Sequence, residues 1–179
     1  FDPETNEVDD VELYATGFNG TSGLVVDAAG NLIVSDDTAT PNIYIIEAET
    51  SAVYAYDYDG EFSNPNGLAI MEDGTVLVAD AGNSIFEIDP NGNVTLLATD
   101  YENPQAVAVD EDSTWLDGDI LFTDFSNSLY RMDPTSQSVR SFTEFPQGFH
   151  TEGGLAFDKD GHYYVSDYGN GLIYRGDET

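Results

Sequence analysis

An internal repeat runs through the whole chain and constrains its fold more than any other feature. An apolar run opening on a Gly-Leu or Ala-Val pair occurs four times, and a second apolar run ending in aspartate follows each one. These aspartates are spaced 44, 44 and 43 residues apart: Asp36, Asp80, Asp124 and Asp167. Aromatic residues in a third run are spaced 42, 44 and 44 residues apart: Tyr44, Phe86, Tyr130 and Tyr174. Three independent markers with nearly one period indicate four copies of one structural unit.

The composition of the runs predicts that this unit is a β-sheet. The runs are short, rich in β-branched and aromatic residues, and separated by Gly, Asn and Asp, without helical periodicity. Turn dipeptides that tolerate positive φ lie where the chain must reverse: Gly30-Asn31, Asp73-Gly74, Asp117-Gly118 and Asp160-Gly161. A fourth, more polar run follows in three repeats. Each repeat is therefore predicted to be a four-stranded antiparallel sheet, and the chain an all-β β-propeller.

The two ends of the chain suggest how the ring is completed. Residues 11–16 resemble a fourth strand with no strands before it, whereas the last repeat lacks a fourth strand. We expect residues 11–16 to complete the last blade and close a four-bladed ring; the alternative is four blades of a larger ring. The predicted repeats span residues 17–58, 59–100, 101–145 and 146–179, after an acidic extension at 1–10. A start at Phe1 without a signal sequence suggests a processed segment.

Charge excludes several functions. The chain has 35 acidic residues against 4 Lys and Arg, a net charge of −31. Four cations cannot build the basic surface that nucleic acids or anionic membranes require. Disorder is disfavoured because 40% of the residues are hydrophobic and 12% aromatic. No cysteine is present, which excludes disulfides and thiol chemistry. Such an acidic coat suits a protein of saline or marine surroundings.

Parts of the second repeat resemble NHL repeats and the related regucalcin/gluconolactonase propellers. The resemblance lies in Asn-Pro-Asn-Gly-Leu-Ala at 64–69, the Asp-Gly-Thr-Val-Leu-Val-Ala-Asp-Ala-Gly-Asn stretch at 73–83, and residues 85–89. It implies a β-propeller, usually of six blades. Members include scaffolds that bind proteins or other ligands and lactone hydrolases that use a divalent metal.

The lactonase resemblance implies metal ligands in the central channel, just before each innermost strand. The matching positions are Ser22, Asn66, Gln105 and Gly153, with Glu152 one residue early. Asn66, Gln105 and Glu152 are the candidate ligands, and His150 or Glu152 the candidate catalytic base. The alternative for Asn66 is a turn residue at the entry of a strand.

Two sets of acidic residues are further candidate binding sites. The four repeated aspartates could ring the binding face and hold a cation, or could cap their own turns through backbone N–H groups. The third repeat also has a longer connection between its first two strands, with oxygen ligands suited to Ca²⁺ and one tryptophan beside them. Its candidate residues are Asp110, Asp112, Asp117 and Asp119, with Trp115 as a contact residue.

The sequence therefore predicts a binding or structural module at the outside of the cell or its surface. Its expected partners are protein or glycan surfaces, bridged in some cases by Ca²⁺, with no nucleic acid or membrane insertion. Self-association is expected if the ring is not closed. The alternative is a metal-dependent lactone hydrolase.

Overall fold

All regular structure in the described part of the chain is β-strand. The computed structural model describes residues 12–37, 42–56, 60–110, 118–145 and 153–177. Fifteen strands are assigned in these ranges. Within the same ranges there is no helix of the length and hydropathy needed to cross a membrane.

The strands form four antiparallel sheets that follow one another along the chain as the blades of a β-propeller. Blade 1 contains β1 (Thr21–Val26), β2 (Leu32–Asp36), β3 (Asn42–Ile46) and β4 (Val53–Tyr56). Blade 2 contains β5 (Pro65–Ile70), β6 (Val76–Asp80), β7 (Ser84–Ile88) and β8 (Val94–Thr99). Blade 3 contains β9 (Ala106–Val109), β10 (Ile120–Thr123), β11 (Ser128–Met132) and β12 (Val139–Glu144). Blade 4 contains β13 (Leu155–Phe157), β14 (Tyr163–Asp167) and β15 (Leu172–Gly176).

A glycine at positive φ makes the first turn of every blade. The φ angles are +87° at Gly30, +88° at Gly74, +83° at Gly118 and +81° at Gly161. Only glycine adopts this region without a steric cost. The turn glycines read from the sequence therefore stand where the sheet requires them. The predicted strand order is confirmed, with four strands in blades 1 to 3 and the first three strands in blade 4.

Apolar contacts between blades form the core. On β6, Val76 and Val78 pack towards blade 1, whereas Leu77 and Ala79 pack towards blade 3. Successive side chains point to opposite faces of a sheet, so a strand between two blades must be apolar at every position. A third cluster joins blades 3 and 4 through Leu121, Leu129, Tyr163 and Val165. The innermost strands β1, β5, β9 and β13 contact one another in this order around the axis.

The predicted strand exchange is not formed in the described residues. Residues 12–16 have no strand structure, and the sheet of blade 4 ends at β15. Tyr14 of this segment contacts blade 1 instead, its hydroxyl lying 3.3 Å from the carbonyl oxygen of Ala48. Just after the segment, the Phe18 ring meets Tyr44 of the same blade edge-on at 5.3 Å. Both contacts are therefore made to blade 1, and among the described residues this segment forms no strand pairing with β15.

Candidate binding site at the channel mouth

The entries of all four innermost strands line one cavity of about 290 Å³ on the propeller axis. We call this cavity the channel mouth. It contains the four positions singled out in the sequence: Ser22, Asn66, Gln105 and Gly153. The structure thus brings these four positions to one cavity.

Three polar side chains at the channel mouth form a continuous hydrogen-bonded row, which we call the amide row. The Ser22 hydroxyl donates to Asn66 Oδ1 at 2.7 Å, and Asn66 Nδ2 donates to Gln105 Oε1 at 3.4 Å. Gln105 Nε2 donates to Asn103 Oδ1 at 3.1 Å and to the Asn103 carbonyl oxygen at 3.3 Å. The row crosses from blade 1 to blade 3, so it exists only when the blades are assembled.

Local backbone features position the row. The pairing register shifts between Thr21 and Leu24 in β1 and between Pro65 and Leu68 in β5. Such bulges re-aim the side chains within them. The glycine after Asn66 permits close approach of the next blade, because a Cβ on Gly67 would lie 2.6 Å from the carbonyl oxygen of Gln105. The Gly67 N–H donates to that same oxygen at 3.0 Å.

The described groups at the channel mouth do not fit a divalent cation. A hard cation prefers several carboxylate oxygens. The oxygens of Ser22, Asn66 and Gln105 are neutral, and those of the two amides already accept hydrogen bonds within the row. The candidate residues His150 and Glu152 lie outside the described residues.

The four repeated aspartates are buried and bind backbone N–H groups. The Asp80 carboxylate accepts from the N–H groups of Ser63 at 2.8 Å, Asn64 at 3.0 Å and Gly82 at 2.6 Å. Asp36 accepts in the same way from Asn19 and Gly20. Asp124 and Asp167 accept from the N–H groups two and three residues further on, those of Ser126 and Asn170. The contacts to Gly82, Ser126 and Asn170 are those of an aspartate that caps its own following turn. The N–H groups that donate to Asp36 lie instead in the loop before β1.

The acidic connection of blade 3 is described only at its ends. Asp110 is buried, and its carbonyl oxygen accepts from the N–H of Gly118 at 3.0 Å. The Asp119 carboxylate forms an ion pair with Arg131. The other candidates of this connection, Asp112, Trp115 and Asp117, lie outside the described residues.

One turn cap was not singled out from the sequence. The Asp158 carboxylate accepts from the N–H groups of Asp160 at 2.9 Å and His162 at 3.0 Å, and lies 2.9 Å from His162 Nδ1. Burial acts to raise the pKa of Asp158, but hydrogen bonds from His162, Asp160 and Tyr164 outweigh it and hold that pKa well below its ordinary value. The sequence contains a signal for this cap, an aspartate four residues before a polar residue. The carboxylates of Asp27 and Asp89 accept in the same way from the N–H groups of Asn31 and Asn93.

We expect Asp158→Ala to destabilise the protein at neutral pH and to have less effect in acid. A carboxylate whose folded pKa is lowered contributes its full stability above its unfolded pKa, near 3.8, and loses it as the pH falls towards the folded value. The difference in Tm between the wild type and this variant should therefore be constant from pH 7 to about 5 and shrink below about 4. Thermal melts of both proteins measure it. Asp160→Ala is the control, and a gap unchanged at about pH 3 would contradict the assignment.

Comparisons with known proteins agree with this architecture. A family model of the NHL repeat matches residues 62–84. A comparison with curated protein sequences gives no match. The fold is shared with a chain in the crystal structure of a nidogen/laminin complex, at a TM-score of 0.74 and 17% identity over 87% of this chain and 59% of that one.

Two further structures show the same likeness of fold. Virginiamycin B lyase from Staphylococcus aureus matches with a TM-score of 0.67 and 20% identity, over 87% of this chain and 52% of that one. A protein assigned to the gluconolactonases matches with a TM-score of 0.68 and 16% identity, over 82% of this chain and 57% of that one. The chain thus spans little more than half the length of these structures. It is a β-propeller that contains an NHL repeat, which confirms the resemblance seen in its sequence.

Proposed function

We propose that this chain is a protein-binding module that recognises its partner at the channel mouth. The observation that carries the proposal is the amide row, Ser22, Asn66 and Gln105, at a cavity that all four blades line. Amide side chains both donate and accept, so they match the N–H and C=O groups of a polypeptide segment. Because they hold one another in place, little further ordering is needed on binding.

The charge of the chain defines the kind of partner. A net charge of −31 repels acidic proteins and steers a basic surface towards the propeller, whereas a neutral surface is not opposed. The nidogen/laminin complex offers a propeller of shared fold within a protein assembly. We place the module outside the cell or on its surface, where a saline medium screens the acidic coat. We extend the proposal in two ways: the partner surface can be a glycan, and Ca²⁺ can bind at the acidic connection of blade 3.

A lactone hydrolase is the second candidate. It is favoured by the juxtaposition of Asn66 and Gln105, which lie 3.4 Å apart at positions that the gluconolactonase resemblance implies as ligands. The chemistry of the channel mouth weighs against it, because its oxygen atoms are neutral and the two amide oxygens already accept hydrogen bonds. A lactonase assay with δ-gluconolactone and added Ca²⁺ or Zn²⁺ separates the two, because only the hydrolase gives turnover that Asn66→Ala abolishes.

Binding of selected peptides tests the leading proposal. A random peptide library is panned on the wild-type chain at about 0.15 M salt, and each recovered peptide is titrated by fluorescence anisotropy. We expect Asn66→Ala to weaken binding about tenfold or more, the effect of ~1.4 kcal/mol, because it removes hydrogen bonds to the peptide.

Asn91→Ala is the matched control, since Asn91 lies in the exposed β7–β8 turn of the same blade. Peptides that bind equally to the wild type and to Asn66→Ala would contradict a site at the channel mouth. Failure to recover any peptide would contradict the protein-binding proposal, and a neutral oligosaccharide panel would then test the glycan.

A further inference from the structure

One register position shows that blade 4 lacks the neighbour that the other blades have. This position lies on the third strand of each blade, opposite the residue that precedes the repeated aspartate. Its occupants are Ile43, Ile85, Leu129 and Ile173. The first three are 0% exposed, whereas Ile173 is 75% exposed. Since the residue type is nearly constant, the difference comes from the neighbourhood: among the described residues, no sheet packs on this face of blade 4.

The residues beside Ile173 on the same face are also incompletely covered. Tyr164 occupies the position of the buried Ile33, Leu77 and Leu121, and is itself half-buried. Ser166 pairs with Ile173 and is half-buried as well, whereas its counterparts Ser35, Ala79 and Thr123 are buried. We call Tyr164, Ser166 and Ile173 the forward face of blade 4.

Blade 1 has a complementary uncovered face. Leu24 is 59% exposed and Val26 is 51% exposed on β1. Their counterparts on the other innermost strands pack against the preceding blade: Leu68 and Ile70, Val107 and Val109, Leu155 and Phe157. We call Leu24 and Val26 the backward face of blade 1. In the described residues, the apolar clusters join blades 1 to 2, 2 to 3 and 3 to 4, and none joins 4 to 1.

We propose that two copies of this chain associate, the forward face of blade 4 in each copy packing on the backward face of blade 1 in the other. This contact continues the arrangement that joins blades three times within the chain. It is a contact between two different surfaces, and we place its closure at two copies, where the contact forms twice and leaves neither face exposed; a rotation that did not close would give an open chain of copies instead. The result is a ring of eight blades, at the upper end of the sizes that propellers adopt. The shared-fold structures have chains roughly one and a half times as long as this one, so the architecture accommodates more residues than this chain has.

The charge of the chain determines the conditions for association. Two copies that each carry −31 repel one another in dilute buffer. Salt near 1 M reduces the screening length to ~3 Å, so repulsion beyond the contact is removed while apolar burial remains. The dimer should therefore form at high salt and weaken as the salt is lowered.

Sedimentation equilibrium tests the proposal on the full chain at low and at ~1 M salt. We expect twice the chain mass of 19.4 kDa at high salt. Ile173→Glu and Leu24→Glu should each reduce this to the monomer mass. Leu96→Glu is the matched control, because Leu96 is 50% exposed on an outer strand and should leave the dimer intact.

A mixing experiment distinguishes a lost contact from a misfolded variant. Ile173→Glu retains an intact backward face, and Leu24→Glu retains an intact forward face. An equimolar mixture can form one unaltered contact, so the mixture should regain part of the dimer that neither variant forms alone. A monomer mass for the wild type at every salt concentration would overturn the proposal. A dimer that survives both substitutions, or a mass that keeps growing with concentration, would also overturn it.

Discussion

Phe122→Ala is expected to lower the free energy of unfolding by about 3–5 kcal/mol. Phe122 is 0% exposed on β10, in the cluster between blades 2 and 3. Its ring stacks on Tyr130 at 5.1 Å and meets Tyr101 edge-on at 4.9 Å. Truncation removes this apolar burial and leaves a cavity that the two β-sheets are too rigid to fill.

Urea denaturation monitored by tryptophan fluorescence and circular dichroism measures the loss. Tyr168→Ala is the control, because Tyr168 is 74% exposed and its truncation should change stability by less than ~0.5 kcal/mol. A loss below ~1 kcal/mol for Phe122→Ala would show that the interface between blades 2 and 3 is not a main source of stability.

Asp80→Ala is expected to cost about 3 kcal/mol or more of unfolding free energy. The Asp80 carboxylate is 1% exposed and accepts from three backbone N–H groups. Hydrogen bonds to a charged group contribute ~1.5–3 kcal/mol each, and buried donors left without partners carry a further penalty. The loss should therefore match that of a core truncation although no apolar group is removed.

The control variant for Asp80→Ala removes the same single negative charge. Asp37→Ala removes one exposed carboxylate from blade 1. Because the chain carries −31, this loss relieves repulsion and should leave Tm unchanged or slightly higher. The stability of Asp80→Asn should fall between those of Asp80→Ala and Asp37→Ala. It keeps an acceptor oxygen but places an amide donor against the Ser63 N–H. Equal stability of Asp80→Ala and Asp37→Ala would exclude the turn-capping role.

Much of the architecture could be predicted from the sequence because its signals are local. The Gly at each first turn, the alternation of short apolar runs and the period of the aspartates all depend on residues within one blade. The turn-capping role of Asp80 was predicted as one of two interpretations, and its N–H donors lie within the same blade.

The candidate site was predicted in position but not in chemistry. Asn66 and Gln105 were expected at one end of the channel because they precede equivalent strands. That Asn66 Oδ1 accepts from Ser22, and that Asn66 donates to Gln105, depends on how three blades are placed around the axis. No local pattern determines those distances, so a metal site and a hydrogen-bonded row could not be separated from the sequence.

The sequence by itself determined that this protein is built from four β-blades with apolar faces, because strand periodicity and turn chemistry are properties of each repeat. Only the tertiary structure decided which faces are covered. Ile85 and Ile173 occupy the same place in their repeats, yet one is fully buried and the other 75% exposed. Burial depends on the neighbouring blade rather than on the residue, and Tyr14, in the segment expected to complete blade 4, contacts blade 1 instead. Each repeat therefore carries the apolar face, and the arrangement of the blades leaves that face exposed on blade 4.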